Sequence, residues 1–329
     1  MDKMKGKKIL VTGGGGFIGT NLVYELIKQG ADVKVIELPT KDCKHLPKNV
    51  SVIKADINKK IQLKNAFKDV EIVFHLAART DLNGTSLDDY KTNTSGTKNV
   101  IEEAVTSKKL KRIVVYSTQL VTGLFNETRF IDETEQYKTK TIYGQSKIQT
   151  ERITVSLCNK YKVPYTIIRP TSVYGPYGEE PYKNYFKMVK IGKYFHFGKA
   201  DNLVSMAYVK NLVNLTILLS DHSKAKNEIF YGTDFHPYTM RQFTNAVATY
   251  YDKKIMTVPY PVAFLVAYIL GIVKFFGIPV PLYPFRLKNI VMNYCYDIQK
   301  SVRLGYNPEF DLTLGIKETL DWYEKNKQL

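Results

Sequence analysis

Apolar and polar positions along this chain switch repeatedly between a strand-like and a helical period. Lys7-Lys8-Ile9-Leu10-Val11-Thr12 is a short apolar run that reads as a buried strand, and glycines follow at once. Phe17, Leu22, Leu26 and Ile27 then recur at helical spacing, and the run closes at Gln29-Gly30. Asp32-Val33-Lys34-Val35-Ile36-Glu37 is a second strand ending in an acid. Further strands are predicted over 50–57, 71–78, 112–118 and 165–170, with a helix over 88–108. Alternation of this kind predicts an α/β fold, a doubly wound parallel sheet with helices on both faces and ligands at the carboxyl ends of the strands.

The loop after the first strand narrows the ligand. Strand, glycine turn, helix and second strand together form the opening unit of a dinucleotide-binding (Rossmann) sheet. Gly13, Gly16 and Gly19 stand three apart, the last placed for close helix packing. The N–H groups of a helix N-terminus are suited to holding a pyrophosphate. Glu37, at the end of the second strand, is placed to hydrogen-bond ribose hydroxyls and to repel a 2′-phosphate, which favours NAD over NADP.

Composition changes this picture little. The 329 residues, 44% hydrophobic and 24% charged, suffice for one large or two smaller soluble domains. Cys43, Cys158 and Cys295 are widely separated and lack disulfide or metal-ligand spacing, and the five histidines are scattered, so a reducing, cytoplasmic setting and no metal site are expected. The lysine-bearing N-terminus runs into a strand and the glycine loop, not into a signal-peptide core. A net charge of +17 is spread along the chain and reads as a solvated lysine-rich surface, with attraction to a phosphorylated substrate, nucleic acid or an anionic membrane surface as the alternative; no base-reading module is present.

Candidate chemistry lies in Tyr143-Gly-Gln-Ser-Lys147. On a helix, residues i and i+4 share a face, so the spacing aims a phenol and an ammonium at one point. A free tyrosine ionises near pH 10. A neighbouring cation favours the phenolate, and the pair is then suited to moving a proton on and off a hydroxyl.

Taken in order, Thr12-Gly13-Gly14-Gly15-Gly16-Phe17-Ile18-Gly19, Asp56-Ile57, His75-Leu76-Ala77-Ala78, Asn93 with Gly96-Thr97, Ser117-Thr118, Tyr143-x-x-x-Lys147, Arg169-Pro170 and Val173-Tyr174-Gly175-Pro176 resemble the extended short-chain dehydrogenases/reductases, which include nucleotide-sugar epimerases and dehydratases. Tyr208-Val209-Lys210-Asn211-Leu212 and Asp297 before Leu304-Gly305-Tyr306-x-Pro308 are weaker echoes. The resemblance implies an NAD-binding domain over 1–172 and a smaller substrate-binding domain over 173–329, with the chain crossing back to the sheet. It implies that Gly13, Gly16, Phe17, Ile18 and Gly19 shape the pyrophosphate turn, that Glu37 holds the adenosine ribose and that Asp56 and Ile57 meet adenine. Leu76, Ala77, Ala78 and Pro170 would line the cofactor, with Asn93 supporting that wall. Tyr143 would transfer the proton. Lys147 would lower its pKa and bind the nicotinamide ribose, and Thr118 would replace the usual serine in hydrogen-bonding the substrate oxygen, with Ser117 the adjacent alternative. Thr80, Ser172, Tyr182 and Lys183 are candidate substrate contacts. Helices over 88–108 and 143–160 correspond to those through which relatives dimerise.

The resemblance says less about the substrate. Family dehydratases carry an Asp-Glu pair after the catalytic hydroxyl, whereas Thr118 is followed by Gln119-Leu120. The expected activity is therefore that of an epimerase or 4-keto reductase on a nucleotide-activated sugar for surface polysaccharide. Alternatives are a hydroxysteroid- or flavonoid-type dehydrogenase and a non-catalytic NAD-binding protein. Many epimerases place an arginine before the Tyr-Val pair to grip a pyrophosphate, but Val204-Ser205-Met206-Ala207 stands here, leaving Lys183, Lys193, Lys199 and Arg286 as substitutes. Pro181-Tyr182-Lys183-Asn184-Tyr185-Phe186 reads equally as a surface that stacks a nucleotide base and holds phosphate or as core. The uncharged run 258–273, followed by Lys274-Phe275-Phe276-Gly277-Ile278-Pro279, is too short to span a bilayer. It is read as a buried helix pair, with peripheral membrane contact as the alternative.

Overall fold

The computed structural model describes residues 3–123, 129–275, 278, 280 and 282–329. Its core is a seven-stranded sheet. Six strands are β1 (Lys8–Thr12), β2 (Asp32–Glu37), β3 (Ser51–Lys54), β4 (Ile72–His75), β5 (Arg112–Tyr116) and β6 (Tyr165–Pro170). The seventh, Glu228–Gly232, comes from far along the chain and pairs with β6, so the order is seventh-β6-β5-β4-β1-β2-β3, all parallel.

Helices cover both faces, and strand alternation shows why. Ile9, Val11, Val33, Val35, Phe74 and Val114 point to one side, where Leu22, Val23 and Leu26 of α1 (Phe17–Lys28) meet Leu212, Leu215 and Leu219 of the Val209–Asp221 helix. Leu10, Ile36, Val73, Ile113, Val115 and Ile167 point to the other, against Val100 and Ile101 of α2 (Ser95–Ala104) and Cys158 of α3 (Ile142–Tyr161). Each fully buried aliphatic side chain contributes about 1.5–3 kcal/mol relative to exposure. The sheet is thus held from both faces, as near-continuous apolar strands require.

The helix expected over 88–108 is broken. Leu87–Asn93 forms tight 3₁₀ turns, with Tyr90 at φ −111°, ψ 31°, and Thr94 (φ −111°, ψ −80°) separates them from α2. Tertiary bonds override the helical period there. The Tyr90 hydroxyl donates to the Asp81 carbonyl at 2.7 Å and accepts from Gly84 N at 3.1 Å.

After β6 a second cluster forms around Tyr174, Phe186, Tyr208, Phe243, Val247, Leu320 and Tyr323. It unites α4 (Tyr182–Lys190) with the Met240–Tyr250 and Leu312–Lys325 helices. The Val209–Asp221 helix and the Glu228–Gly232 strand return to the main sheet between these pieces.

The uncharged run forms a helix, Tyr260–Phe275, that pairs with Pro284–Ile290, but the pair is not buried. Only Ala263 and Ala267 of the longer helix are buried, while Leu265 and Ile269 are 60% and 53% exposed. Helical period and apolarity alone could not tell which side faced protein. Phe276, Gly277 and Pro279 lie outside the described residues.

Candidate active site

Strand order reverses around β1, between β2 and β4, and the loops that leave β1 and β4 face each other there. Gly13 has φ +71° and donates its N–H to Ile36 O at 2.9 Å; a Cβ on it would stand 2.7 Å from Ala77 N. A Cβ on Gly19 would run into the Gly13 carbonyl, so glycine at both positions lets the turn, the helix and the β4 loop close together. Gly16 is the N-cap of α1, and no side chain caps that end among the described residues.

Beyond this turn lies a cleft of about 530 Å³. Gly13, Gly16, Phe17, Ile18 and Gly19 form one end, and Glu37, Asp56 and Ile57 the adjoining wall. Glu37 Oε2 accepts the Gly15 N–H at 3.0 Å and Oε1 that of Leu38 at 3.0 Å, which fixes the carboxylate beside the glycine turn. Leu76, Ala77, Ala78 and Pro170 line the middle. Thr80, Ser117, Thr118, Tyr143, Lys147, Tyr174 and Tyr182 are among the residues that complete the lining. The volume and this wall of glycines and alanines, with Glu37 and Asp56 beside them, fit a dinucleotide.

Asn93 stands behind the wall. It is 1% exposed, accepts from Arg79 N at 2.8 Å and donates to Arg79 O and Ser146 Oγ, each at 2.9 Å. Behind Ala77, His75 is locked between the Thr12 and Thr97 hydroxyls at 2.7 and 2.9 Å. Burial, with the Lys147 charge adding to it, pulls this imidazole down to about 3, so it is neutral.

Helix α3 brings Tyr143 and Lys147 to one face. Thr141 Oγ1 caps its start by accepting from Gly144 N at 3.0 Å. Burial pushes the Tyr143 phenol up to about 12, and the neighbouring Thr118 hydroxyl works against that rise. Lys147 does not set this value: its ammonium donates to Tyr116 O at 2.6 Å, and burial pulls it down to about 8 against the attraction of Glu151. The expected lowering of the phenol by Lys147 is therefore outweighed by desolvation.

Ser117 and Thr118 have different partners. Ser117 Oγ donates to Glu151 Oε1 at 2.5 Å, inside a buried cluster where Arg169 grips the same carboxylate from Nε and Nη2 at 2.9 and 2.8 Å and the Tyr137 hydroxyl adds a bond at 2.8 Å. Glu151 and Arg169 are 1% and 2% exposed. Breaking such a pair costs about 3–5 kcal/mol. The sequence reading missed Glu151, although Tyr143, Lys147 and Glu151 continue the same four-residue spacing. It also missed Lys41, Glu179 and Glu180 on the cleft wall; they sit in loops without a periodic signal.

Other candidates lie elsewhere. Ser172 neighbours the hydroxyl of Tyr182, which itself reaches the cleft. Lys183 faces a neighbouring crevice and donates to Gln328 at 2.7 Å. Lys193, Lys199 and Arg286 are exposed and off the cleft wall. Phe186 is core, and Tyr185 stacks among Phe186, Tyr194 and Phe243, so of the aromatic rings in that stretch only Tyr182 meets the cleft. Among the described residues there is no cluster of His, Cys, Asp or Glu suited to a metal ion, and the three cysteines are free thiols.

Residues 10–259 match the model of the 3-beta hydroxysteroid dehydrogenase/isomerase family. The chain belongs to that family. This places it among the extended short-chain dehydrogenases/reductases. Proteins similar to it include a UDP-glucose 4-epimerase of Vibrio cholerae, 30% identical over 268 residues (79% of this chain, 81% of that protein). Another is the N-acetyl-alpha-D-glucosaminyl-diphospho-ditrans,octacis-undecaprenol 4-epimerase of Escherichia coli O157:H7, 29% identical over 95% of this chain and 94% of that protein. Among solved structures, the UDP-glucose 4-epimerase of Thermotoga maritima with UDP-glucose superposes with a TM-score of 0.78, at 26% identity, over 97% of this chain and 99% of that one. The relatives thus include sugar-nucleotide epimerases, while the matching family model is named for steroid chemistry.

Proposed function

We propose that this family member is an NAD-dependent epimerase or 4-keto reductase of a nucleotide-activated sugar, serving surface polysaccharide synthesis. The observation that carries the reading is the convergence of Thr118, Tyr143 and Lys147 on the cleft that the glycine turn opens. Residues 1–172 supply the cofactor end, and residues 173–329 add the substrate wall through Tyr174 and Tyr182. Glu37 selects NAD by accepting from ribose hydroxyls and repelling a 2′-phosphate. A bound NAD supplies the acceptor and donor of a hydride at the carbinol carbon.

The chain's own residues handle the proton and the geometry. Thr118 hydrogen-bonds the substrate oxygen. The Tyr143 phenol, raised by burial to about 12, must first give up its proton; as phenolate it then takes the hydroxyl proton while the C–O bond becomes a ketone, and returns it when the ketone is reduced. Lys147 would hold the nicotinamide ribose. Reduction on the opposite face of a rotated ketone completes an epimerisation; reduction of a supplied ketone alone is the reductase outcome.

The deciding experiment incubates the protein and NAD with UDP-, dTDP- and GDP-sugars. Isomerisation seen by NMR without net change in nicotinamide absorbance identifies an epimerase, and stoichiometric NADH consumption with a keto-sugar identifies a reductase. Inertness toward the whole panel, with NAD bound, would sink the reading.

One observation favours a second substrate class. Among the described residues lining the cleft, the cations are Lys41 and Lys147, and the substrate wall carries Glu179 and Glu180. An uncharged alcohol such as a hydroxysteroid needs no cation there, and its oxidation would appear as NADH formed in proportion to steroid.

A further inference from the structure

The Tyr260–Phe275 helix is packed with its small residues inward and its large ones outward. Ala263, Ala267 and Gly271 form the inner stripe. The two alanines are 1% and 0% exposed, and a Cβ on Gly271 would stand 3.1 Å from Pro284 Cδ. Phe197, Val258, Leu282 and Leu287 complete this small contact. The outer face carries Val262, Leu265, Val266, Ile269 and Ile272, each 44–60% exposed. A helix that faces water carries polar groups at such positions. An exposed apolar surface of this kind marks an interaction site.

The surrounding charge identifies the occupant. From Lys253 to Tyr296 the sequence contains Lys253, Lys254, Lys274, Arg286 and Lys288 and not one acid. All five are exposed. A second copy of the chain would bring the same basic rim against itself. An anionic lipid surface offers apolar depth for the outer face and negative headgroups for the rim. Sixteen helical residues extend about 24 Å, short of a hydrocarbon core of about 30 Å. No helix among the described residues is long and apolar enough to cross a membrane. The helix therefore suits the plane of the interface.

We propose that the outer face of the Tyr260–Phe275 helix docks on an anionic lipid bilayer. The helix is rooted in the substrate side of the molecule. It follows the Met256–Val258 strand, which pairs with Phe195–Phe197, the strand after α4. Beyond its partner helix, Tyr294 bridges to Val204 beside Met206, whose sulfur accepts from Tyr182 on the cleft wall. Docking is separate from turnover and can be read without substrate.

The test is flotation of the full chain with vesicles of phosphatidylcholine alone and of phosphatidylcholine mixed with phosphatidylglycerol. The wild-type chain is expected to float with the mixed vesicles, less with phosphatidylcholine alone, and less again in high salt. Leu265→Glu and Ile269→Glu each lower the partition coefficient about tenfold, with NAD binding and circular dichroism unchanged. Lys253→Glu/Lys254→Glu, which leaves the apolar face intact, lowers binding to the mixed vesicles alone. Failure of the wild type to float, or flotation of all variants equally, overturns the proposal. So does gel filtration in which Leu265→Glu dissolves an oligomer while the wild type ignores both kinds of vesicle, because the face then belongs to a second copy.

Discussion

Lys147 donates its ammonium hydrogen to the backbone oxygen of Tyr116 across 2.6 Å, tying the second turn of α3 to the end of β5. The bond fixes the cation one helical turn from Tyr143 in a buried setting where it ionises at about 8. In the free enzyme the charged ammonium therefore predominates below about pH 8, and that form is the one proposed to hold the nicotinamide ribose. The profile of kcat/KM is expected to bend downward above about pH 8. Lys147→Met removes the bend, so an unchanged inflection in that variant would show that another group titrates.

Tyr143→Phe deletes one oxygen and keeps the ring against Tyr90, whose centroid is 6.0 Å away. Turnover is expected to fall about 10²–10⁴-fold, with NAD affinity changed little. Steady-state kinetics beside a fluorescence titration of NAD separate the two effects. Full turnover in the variant would remove the phenol from the mechanism.

The adjacent hydroxyls should respond in opposite ways. Thr118→Val removes the group beside Tyr143 and is expected to lower kcat while leaving the thermal midpoint close to wild type. Ser117→Ala takes one donor from the buried Glu151 and costs about 1–3 kcal/mol of stability, with kcat nearly preserved. Denaturant melts and kinetics on both variants check the contrast.

His75 makes stability depend on acid. Its folded pKa is about 3 against 6.5 for a free imidazole, so between these values the unfolded chain binds the extra proton. This contribution is complete above about pH 6.5 and is lost progressively as pH falls toward 3. His75→Gln can keep bonds to both threonines without titrating. The difference in melting temperature between wild type and variant should shift in the variant's favour across that window, and a constant difference would contradict the assignment.

Glu37 is held by the N–H groups of Gly15 and Leu38. Glu37→Ala is expected to weaken NAD about tenfold, the loss of about one charge-assisted hydrogen bond, and to narrow the preference over NADP. Isothermal titration with both cofactors measures the ratio directly.

The legible parts of this molecule were those written in local period. The β1, glycine turn, α1 and β2 unit stands where the apolar spacing puts it, because each piece is bounded by glycine and closes on near neighbours. The seventh strand went unread: Glu228-Ile-Phe-Tyr-Gly232 is short, and its pairing with β6 lies about sixty residues back in the chain. The 88–108 helix misled because Tyr90 answers to Asp81 and Gly84, contacts that helical spacing does not encode. At the site, the four-residue step from Tyr143 to Lys147 was visible, whereas Glu151, one step further, acquires meaning only when Arg169 arrives from β6.

Closure of the sheet by Glu228–Gly232 has a consequence for how the protein is made. Once residue 170 has been synthesised, β6 has a partner on one side and a bare row of N–H and C=O groups on the other, an edge open to mispairing. That edge is sealed only after another sixty or so residues emerge. The two halves therefore cannot be exchanged like beads on a string. A fragment ending at 172 would keep the glycine turn and Tyr143, yet lack the strand and the Val209–Asp221 helix that finish its own core.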